Sequence, residues 1–251
     1  MPLLLHQELA LPKRSQHMER VRICFPMFGN KGSGSFEEYK KTGLLLDVGC
    51  GAGAILGAAV EAGWSAQGLE IASSAVDELR RQGFEVNKSF LEEAGYSDSS
   101  FDVVVANGVV EHVHDPGPFV AECFRILRPG GLFYVTTPNA FGCSARLLGL
   151  RWTTVEPGDH VHIFSLSGLS TLLGSHGFLI DRVTAEGVNP LEILYALRRR
   201  GLPADFDRSA SSHQLNEAFS TSRARRFVKK QINLALTATR MGDELKVHAT
   251  K

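Results

Sequence analysis

Neither sign of charge dominates this chain. Its 27 Lys and Arg offset 27 Asp and Glu, for a formal net charge of zero. A whole-molecule electrostatic pull toward nucleic acid or an anionic membrane is therefore not expected. Cysteine is scarce too. Cys24, Cys50, Cys123 and Cys143 lie far apart with no C-x-x-C pair, which argues against a disulfide framework or a zinc site and reads as scattered reduced thiols. Long apolar runs are missing. Leu3-Leu4-Leu5 is too short for the core of a secretory signal. Residues 43–60 resemble a membrane span until Asp47 and five glycines are counted within them. Internal repeats and low-complexity tracts are also absent. These absences point to a soluble cytoplasmic protein.

What remains is ordinary globular composition: 251 residues, 43% of them hydrophobic, with 25 glycines. That length suits one large α/β domain with an elaboration, or at most two small domains. Strand-like runs at 44–48, 66–71, 84–87, 101–106, 132–136 and 178–183 alternate with helical segments at 54–62, 74–83, 116–128 and 167–176. Such alternation predicts a largely parallel sheet with helices on both faces. Ser74-Ala75-Val76-Asp77 resembles a capping box, and Asp115-Pro116 suits an N-cap followed by the first helical residue. A short helix over 13–22 is expected, then a flexible Gly/Ser stretch at 29–35. Residues 138–165 read as irregular, and 188–240 as helical with a polar break near 204–212. Leu245-Lys246-Val247-His248-Ala249 alternates like a half-exposed edge strand. The organisation expected is thus an N-terminal cap (1–42), a core (43–187), a helical elaboration (188–243) and a final edge strand (244–251).

The sharpest local signal is Asp47-Val48-Gly49-Cys50-Gly51-Ala52-Gly53, between a strand and a helix. Glycines there let the backbone turn tightly and approach a ligand, and the helix that follows offers N–H groups to an anion. Glu70 stands about 20 residues on, where a carboxylate can accept hydrogen bonds from ribose hydroxyls. The spacing alone leaves the cofactor open, because Gly49, Gly51 and Ala54 also satisfy the dinucleotide pattern and Glu70 suits NAD equally.

The rest of the chain resembles the class I S-adenosylmethionine-dependent methyltransferases, in particular a small-molecule group with an E-H signature. The matching motifs run in order. They are the glycine loop, Leu91-Glu92-Glu93-Ala94, Phe101-Asp102-Val103-Val104, Glu111-His112-Val113 and Arg128-Pro129-Gly130-Gly131, then Thr137-Pro138-Asn139, His160-Val161-His162-Ile163-Phe164-Ser165 and Gly177-Phe178. The resemblance implies a Rossmann-like, mostly parallel seven-stranded sheet with an antiparallel last strand. It implies S-adenosylmethionine as cofactor, leaving as S-adenosylhomocysteine. Gly49, Cys50, Gly51 and Gly53 would line the methionine end, and Asp47 would orient the loop. Glu70 would hold the ribose and Ile71 would pack on the adenine. An aspartate that many relatives use for the adenine amino group is replaced here by Phe90, so stacking and backbone around Leu91 and Glu92 would take its place.

Ligands of open α/β sheets sit beyond the carboxyl ends of the strands, where strand order reverses. That puts Asn107 near the reacting methyl group, either as a polar contact or as a loop cap. For a proton acceptor histidine is the candidate, since its ordinary pKa lies near neutrality. His112 follows Glu111 at the correct end of the sheet, and His160 is favoured over His162 because alternation turns one of the two inward. Each also suits a loop-fixing role. An E-x-x-E-H metal arrangement is incomplete, since Gly108 stands three residues before Glu111, so no metal is expected. The acceptor is expected to be a small molecule, methylated on a hydroxyl oxygen, and not nucleic acid. The rivals are an NAD-dependent oxidoreductase and a non-catalytic S-adenosylmethionine-binding protein. Arg198-Arg199-Arg200, Arg223, Arg225, Arg226, Lys229 and Lys230 interleave with apolar residues, leaving room for weak membrane-surface contact through the C-terminal helices.

Overall fold

The apolar runs pair into a single sheet. The computed structural model describes residues 26–28, 35–156, 158–197 and 223–251. Its strands are β1 (Leu44–Val48), β2 (Ser65–Leu69), β3 (Glu85–Asn87), β4 (Phe101–Asn107), β5 (Leu127–Pro138), β6 (Leu179–Glu186) and β7 (Glu244–Thr250). They lie in the order β3-β2-β1-β4-β5-β7-β6. Neighbours from β3 to β5 pair in parallel, and β7 runs antiparallel to both β5 and β6. The helices are α1 (Ala54–Glu61), α2 (Ser73–Arg81), α3 (Pro116–Ile126), α4 (Cys143–Leu148), α5 (Leu166–Ser175), α6 (Pro190–Leu197) and α7 (Arg223–Thr239).

Alternation within the central strands feeds two cores. Val103, Val105, Leu132 and Tyr134 join Ile55, Leu56 and Ala59 of α1 and Val76 and Leu79 of α2 on one face. Val104, Ala106, Phe133 and Val135 join Phe119, Val120 and Cys123 of α3 and Leu169 and Leu173 of α5 on the other. Burial on both faces explains why β1 and β4 read as continuous apolar runs. One charged group is built into this frame. Asp102 Oδ2 accepts from the backbone N–H groups of Lys41, Thr42 and Gly43 at 2.8, 2.6 and 2.7 Å, and Oδ1 accepts from Arg128 Nη1 at 3.0 Å. It thereby ties the entry to β1 to the turn into β5.

Several expectations are corrected. The last strand is not at an edge: β7 lies between β5 and β6. Its polar positions do not need solvent, because Lys246 Nζ reaches Glu186 Oε2 at 3.2 Å and His248 packs edge-on against Tyr134. Leu245, Val247 and Ala249 meanwhile are fully buried. The capping box at Ser74 is not formed. Its helix begins one residue earlier with Ala72, whose methyl side chain cannot cap, at the N-cap, and Val76 N–H already donates to Ala72 O at 3.1 Å. The segment read as irregular contains α4, whose Ser144 is held by the Asp243 carboxylate (N to Oδ1 2.8 Å, Oγ to Oδ2 2.5 Å). Asp115 does cap α3, accepting from Gly117 N at 3.2 Å. The helix expected at 13–22, nearly all of the Gly/Ser stretch at 29–35, Arg198-Arg199-Arg200 and the polar break lie outside the described residues. Among the described residues no helix is long and apolar enough to cross a membrane.

Candidate active site

The loop after β1 is held from β2. The N–H groups of Gly49 and Cys50 donate to Leu69 O at 2.8 and 3.1 Å, and Gly51 N–H donates to Glu70 Oε2 at 2.9 Å. The three glycines of the loop have different surroundings. A Cβ on Gly49 would stand 2.7 Å from Val109 Cγ2, and one on Gly53 2.3 Å from Leu79 Cδ2, so both glycines permit close packing. Gly51, at φ +50°, has nothing within 4 Å of where a Cβ would be and faces open space. Glu70 Oε1 accepts from Ile71 N at 2.8 Å and Ala72 N at 2.9 Å. A carboxylate offers about four acceptor sites, so three backbone donors leave roughly one for a ligand.

Asp47 lies behind the loop, buried, and its Oδ2 has no hydrogen-bond partner. Burial pushes its carboxyl up to about 8, opposed by a hydrogen bond from the Leu56 backbone in the first turn of α1 and reinforced by the charge of Glu70. Cys50 is a core residue: its Sγ lies 2.8 Å from the position of a Cβ on Gly68 in β2, and burial pushes its thiol up to about 12. Asp47 and Cys50 thus shape the loop from behind rather than face a ligand.

Beside the loop a cavity of about 440 Å³ opens beyond the carboxyl ends of β1 to β4. Val48, Gly49, Leu69, Glu70 and Ile71 line one wall. Phe90, Leu91 and Glu92 line a second, and Val109, His112, Val113 and Phe119 a third. Ile71 and Phe90 are each 57% exposed, apolar surface left uncovered by the fold itself. Of the residues expected around a cofactor, Gly49, Glu70, Ile71, Leu91 and Glu92 line this cavity. Val109, Val113 and Phe119 were missed, since nothing in their spacing separates a cavity wall from core.

The chemistry-bearing side chains gather at one end. Asn107 ends β4, and its Oδ1 accepts from Thr136 Oγ1 at 3.1 Å. The turn that follows buries Glu111 to 3% exposure, leaving Oε2 without a hydrogen-bond partner. Burial pushes the Glu111 carboxyl up, against hydrogen bonds and the charges of His112 and His160. His112 and His160, 48 positions apart in sequence, pack with ring centroids 4.7 Å apart and planes tilted by 55°. His160 Nδ1 lies 2.7 Å from Thr154 O, and His112 Nδ1 lies 2.9 Å from Asp159 O. A carbonyl only accepts, so in each neutral ring Nδ1 carries the proton and Nε2 keeps a lone pair. His162 is turned elsewhere, with Nε2 at 3.3 Å from His114 O and its ring against Phe164. The two histidines thus point to different partners, and both are half-buried.

Sheet order and site position can now be set beside known proteins. A family model described as a methyltransferase domain matches residues 33–183. The chain belongs to the class I S-adenosylmethionine-dependent methyltransferases. It is similar to a probable S-adenosylmethionine-dependent methyltransferase of Mycolicibacterium smegmatis, 34% identical over 139 residues, 55% of this chain and 52% of that one. It is also similar to the ubiquinone biosynthesis O-methyltransferase of Parvibaculum lavamentivorans, at 30% identity over 62% of this chain and 66% of that protein. The matched stretch thus spans between half and two thirds of the length of these two relatives. A crystal structure of a SAM-dependent methyltransferase from Archaeoglobus fulgidus shares the fold, with TM-score 0.60 and 19% identity over 93% of this chain and 94% of that one.

The methyltransferase cofactor fits the residues present. The cavity is of small-molecule size. Glu70 retains an acceptor site beside open Gly51, and Ile71 and Phe90 offer exposed apolar surface to a flat ring.

Proposed function

We propose that this methyltransferase transfers a methyl group to a hydroxyl oxygen of a small molecule. The observation that carries the reading is that one cavity joins Glu70 and the glycine loop at one end to His112, and through it His160, at the other. Glu70 and the loop would hold the ribose and methionine parts, with Ile71, Phe90 and Leu91 against the adenine. S-adenosylmethionine supplies the methyl group as a sulfonium, already activated for in-line displacement. The protein's own work is then to align the acceptor and to take its proton. His160 suits the second task because Thr154 O fixes its tautomer and leaves the lone pair on Nε2. Relatives named ubiquinone biosynthesis O-methyltransferases support oxygen as the acceptor atom, and a largely apolar cavity supports an acceptor with a hydrophobic body. An NAD-dependent oxidoreductase is disfavoured, since β7 inserts antiparallel between β5 and β6 where the dinucleotide fold runs parallel throughout.

Two expectations about setting belong to the same reading. Cys50, Cys123 and Cys143 are free thiols, in keeping with a reducing, cytoplasmic location. On α7, Phe227, Val228, Ile232 and Leu234 are exposed beside Lys229 and Lys230, which supports weak contact with a membrane surface.

The test is a radiolabelled methyl-transfer assay over phenolic, carboxylic and amine acceptors. Phenolic acceptors should be labelled, and His160→Ala should lower that rate by about 10²–10⁴ with S-adenosylhomocysteine affinity unchanged. Transfer to amines alone, or an undiminished rate in the variant, would overturn the assignment.

A further inference from the structure

Glu111, His112 and His160 each offer one ligand atom, and these atoms all lie within 4.8 Å of one another. Three independent features of the cluster are those of a metal-binding site. First, each histidine donates its Nδ1 proton to a backbone carbonyl, Thr154 O at 2.7 Å and Asp159 O at 2.9 Å. That arrangement fixes the tautomer of a metal-ligating imidazole and leaves Nε2 as the nitrogen with a lone pair. His112 carries a second support, since its Nδ1 also lies 3.2 Å from Asp159 Oδ1. Second, Glu111 is 3% exposed and its Oε2 has no hydrogen-bond partner. A buried carboxylate oxygen left in that state carries an unmet desolvation cost, which a cation removes. Third, the two imidazoles pack at 4.7 Å between centroids, tilted by 55°, although their segments are far apart in sequence. Without a shared partner, nothing in core packing requires two polar rings, one of them on an exposed residue, to face each other there.

We propose that Glu111, His112 and His160 bind one divalent transition-metal ion of the zinc type. Two imidazole nitrogens and one carboxylate oxygen favour such an ion over magnesium or calcium, which prefer all-oxygen sets. Bonds of about 2.0–2.1 Å in tetrahedral geometry place ligand atoms about 3.4 Å apart. The site therefore contracts on binding, and His112, whose side chain is 36% exposed, has the freedom to move. Gly108 removes the second carboxylate that sequence reasoning asked for, but its place is not needed: three protein ligands leave a fourth position open, as in catalytic zinc sites. His112 also lines the cavity, which puts the ion beside the wall of the proposed acceptor site. The inference keeps the O-methylation reading, on which it rests only for the role of the ion, and reassigns His160 from proton acceptor to ligand. With metal held, a coordinated hydroxyl is acidified directly, and His160 acts as a ligand rather than as the proton acceptor.

The experiment is titration of chelator-treated protein with Co²⁺, followed by its visible absorption and by displacement with Zn²⁺. One ion per chain should bind with the intense bands of a four-coordinate site. His160→Ala and His112→Ala should each weaken binding by more than about 100-fold, beyond the 10–100-fold typical of losing a supporting residue. His162→Ala, in the same loop but turned away, should bind as the wild type does. S-adenosylhomocysteine binding by each variant checks that the fold is kept. Weak six-coordinate spectra, or equal loss from His162→Ala and His160→Ala, would overturn the proposal. Because the readout is the ion and not turnover, it fails or holds separately from the O-methylation reading.

Discussion

Glu70→Ala is the substitution whose cost the structure specifies most closely. A free carboxylate at this position would accept from both ribose hydroxyls. At about 1.5–3 kcal/mol per charge-assisted hydrogen bond, and tenfold per 1.4 kcal/mol, losing both would cost about 10²–10⁴ in affinity. The structure halves that figure in energy. Glu70 already accepts from Gly51, Ile71 and Ala72, so of about four acceptor sites one remains. One bond lost corresponds to about 10–150-fold weaker binding. Removing the side chain also releases the Gly51 N–H, a partly buried bond, which should cost the unliganded protein about 1 kcal/mol, or some 2–4 °C in melting temperature for a chain of this size. The bonds to Ile71 and Ala72 are exposed, and water replaces them. Calorimetric titration with S-adenosylhomocysteine reads the first quantity without turnover, and thermal unfolding of the free protein reads the second. Wild-type affinity in Glu70→Ala would show that the ribose is held elsewhere. A loss beyond about 10⁴-fold would show that the carboxylate abandons its backbone donors for both hydroxyls.

Three further outcomes are expected. Gly51→Val should fold, because its Cβ meets nothing within 4 Å, yet weaken S-adenosylhomocysteine binding by about 100-fold or more, since a β-branched side chain at positive φ both strains the loop and fills the ligand's space. Retained binding in calorimetry would make the loop a turn and no more. Asp102→Ala should lose about 3–5 kcal/mol in urea unfolding, because it strands Arg128 and three backbone N–H groups. A loss under about 1 kcal/mol would mean that water serves them equally well. For Asp47, whose carboxyl burial pushes from 3.8 up to about 8, the folded state keeps a proton that the unfolded chain releases between those values. Wild-type stability should therefore fall as pH rises through that window, and Asp47→Asn should gain on it steadily from pH 5 to 8. Parallel melting curves would refute the buried, proton-bound carboxyl.

Much of the sheet was legible because its central strands are buried on both faces and carry their signal locally. Leu44–Val48 and Phe101–Asn107 need no partner to announce themselves. The motif residues are legible for a related reason, since many serve the frame. Asp102 clamps the entry to β1, Asn139 holds the carbonyls of Arg240 and Gly242 at 3.1 and 2.7 Å, and Ser165 caps α5 through Gly168 N. Failures came where a residue's environment is set by distant chain. Lys246 and His248 look like the wet side of an edge strand until β6 and Tyr134 supply their partners. Ser74 looks like a cap until the helix starts one residue before it, with Glu70 ordering Ile71 and Ala72 ahead of the first turn.

The same division explains the candidate site. Its cofactor half is local: the glycine loop and Glu70 lie on consecutive strands, and their spacing carries the information. Its acceptor half is assembled from two loops, the turn after β4 and the segment before α5, which meet only because β5 and its neighbours place their ends together. Alternation could indicate that one of His160 and His162 turns inward, but no spacing rule could show that His160 would face His112, or that Thr154 and Asp159 would each supply a carbonyl to fix a tautomer. Sequence reasoning already set His160 beside Glu111 and His112 as a metal arrangement and discounted it for the carboxylate missing at Gly108; what it could not supply was the approach of the two loops. A histidine contributed by a distant loop is a stronger indication of purpose than a contiguous motif would be, because ordering that loop against His112 has a conformational cost that a solvated imidazole pair would not by itself offset.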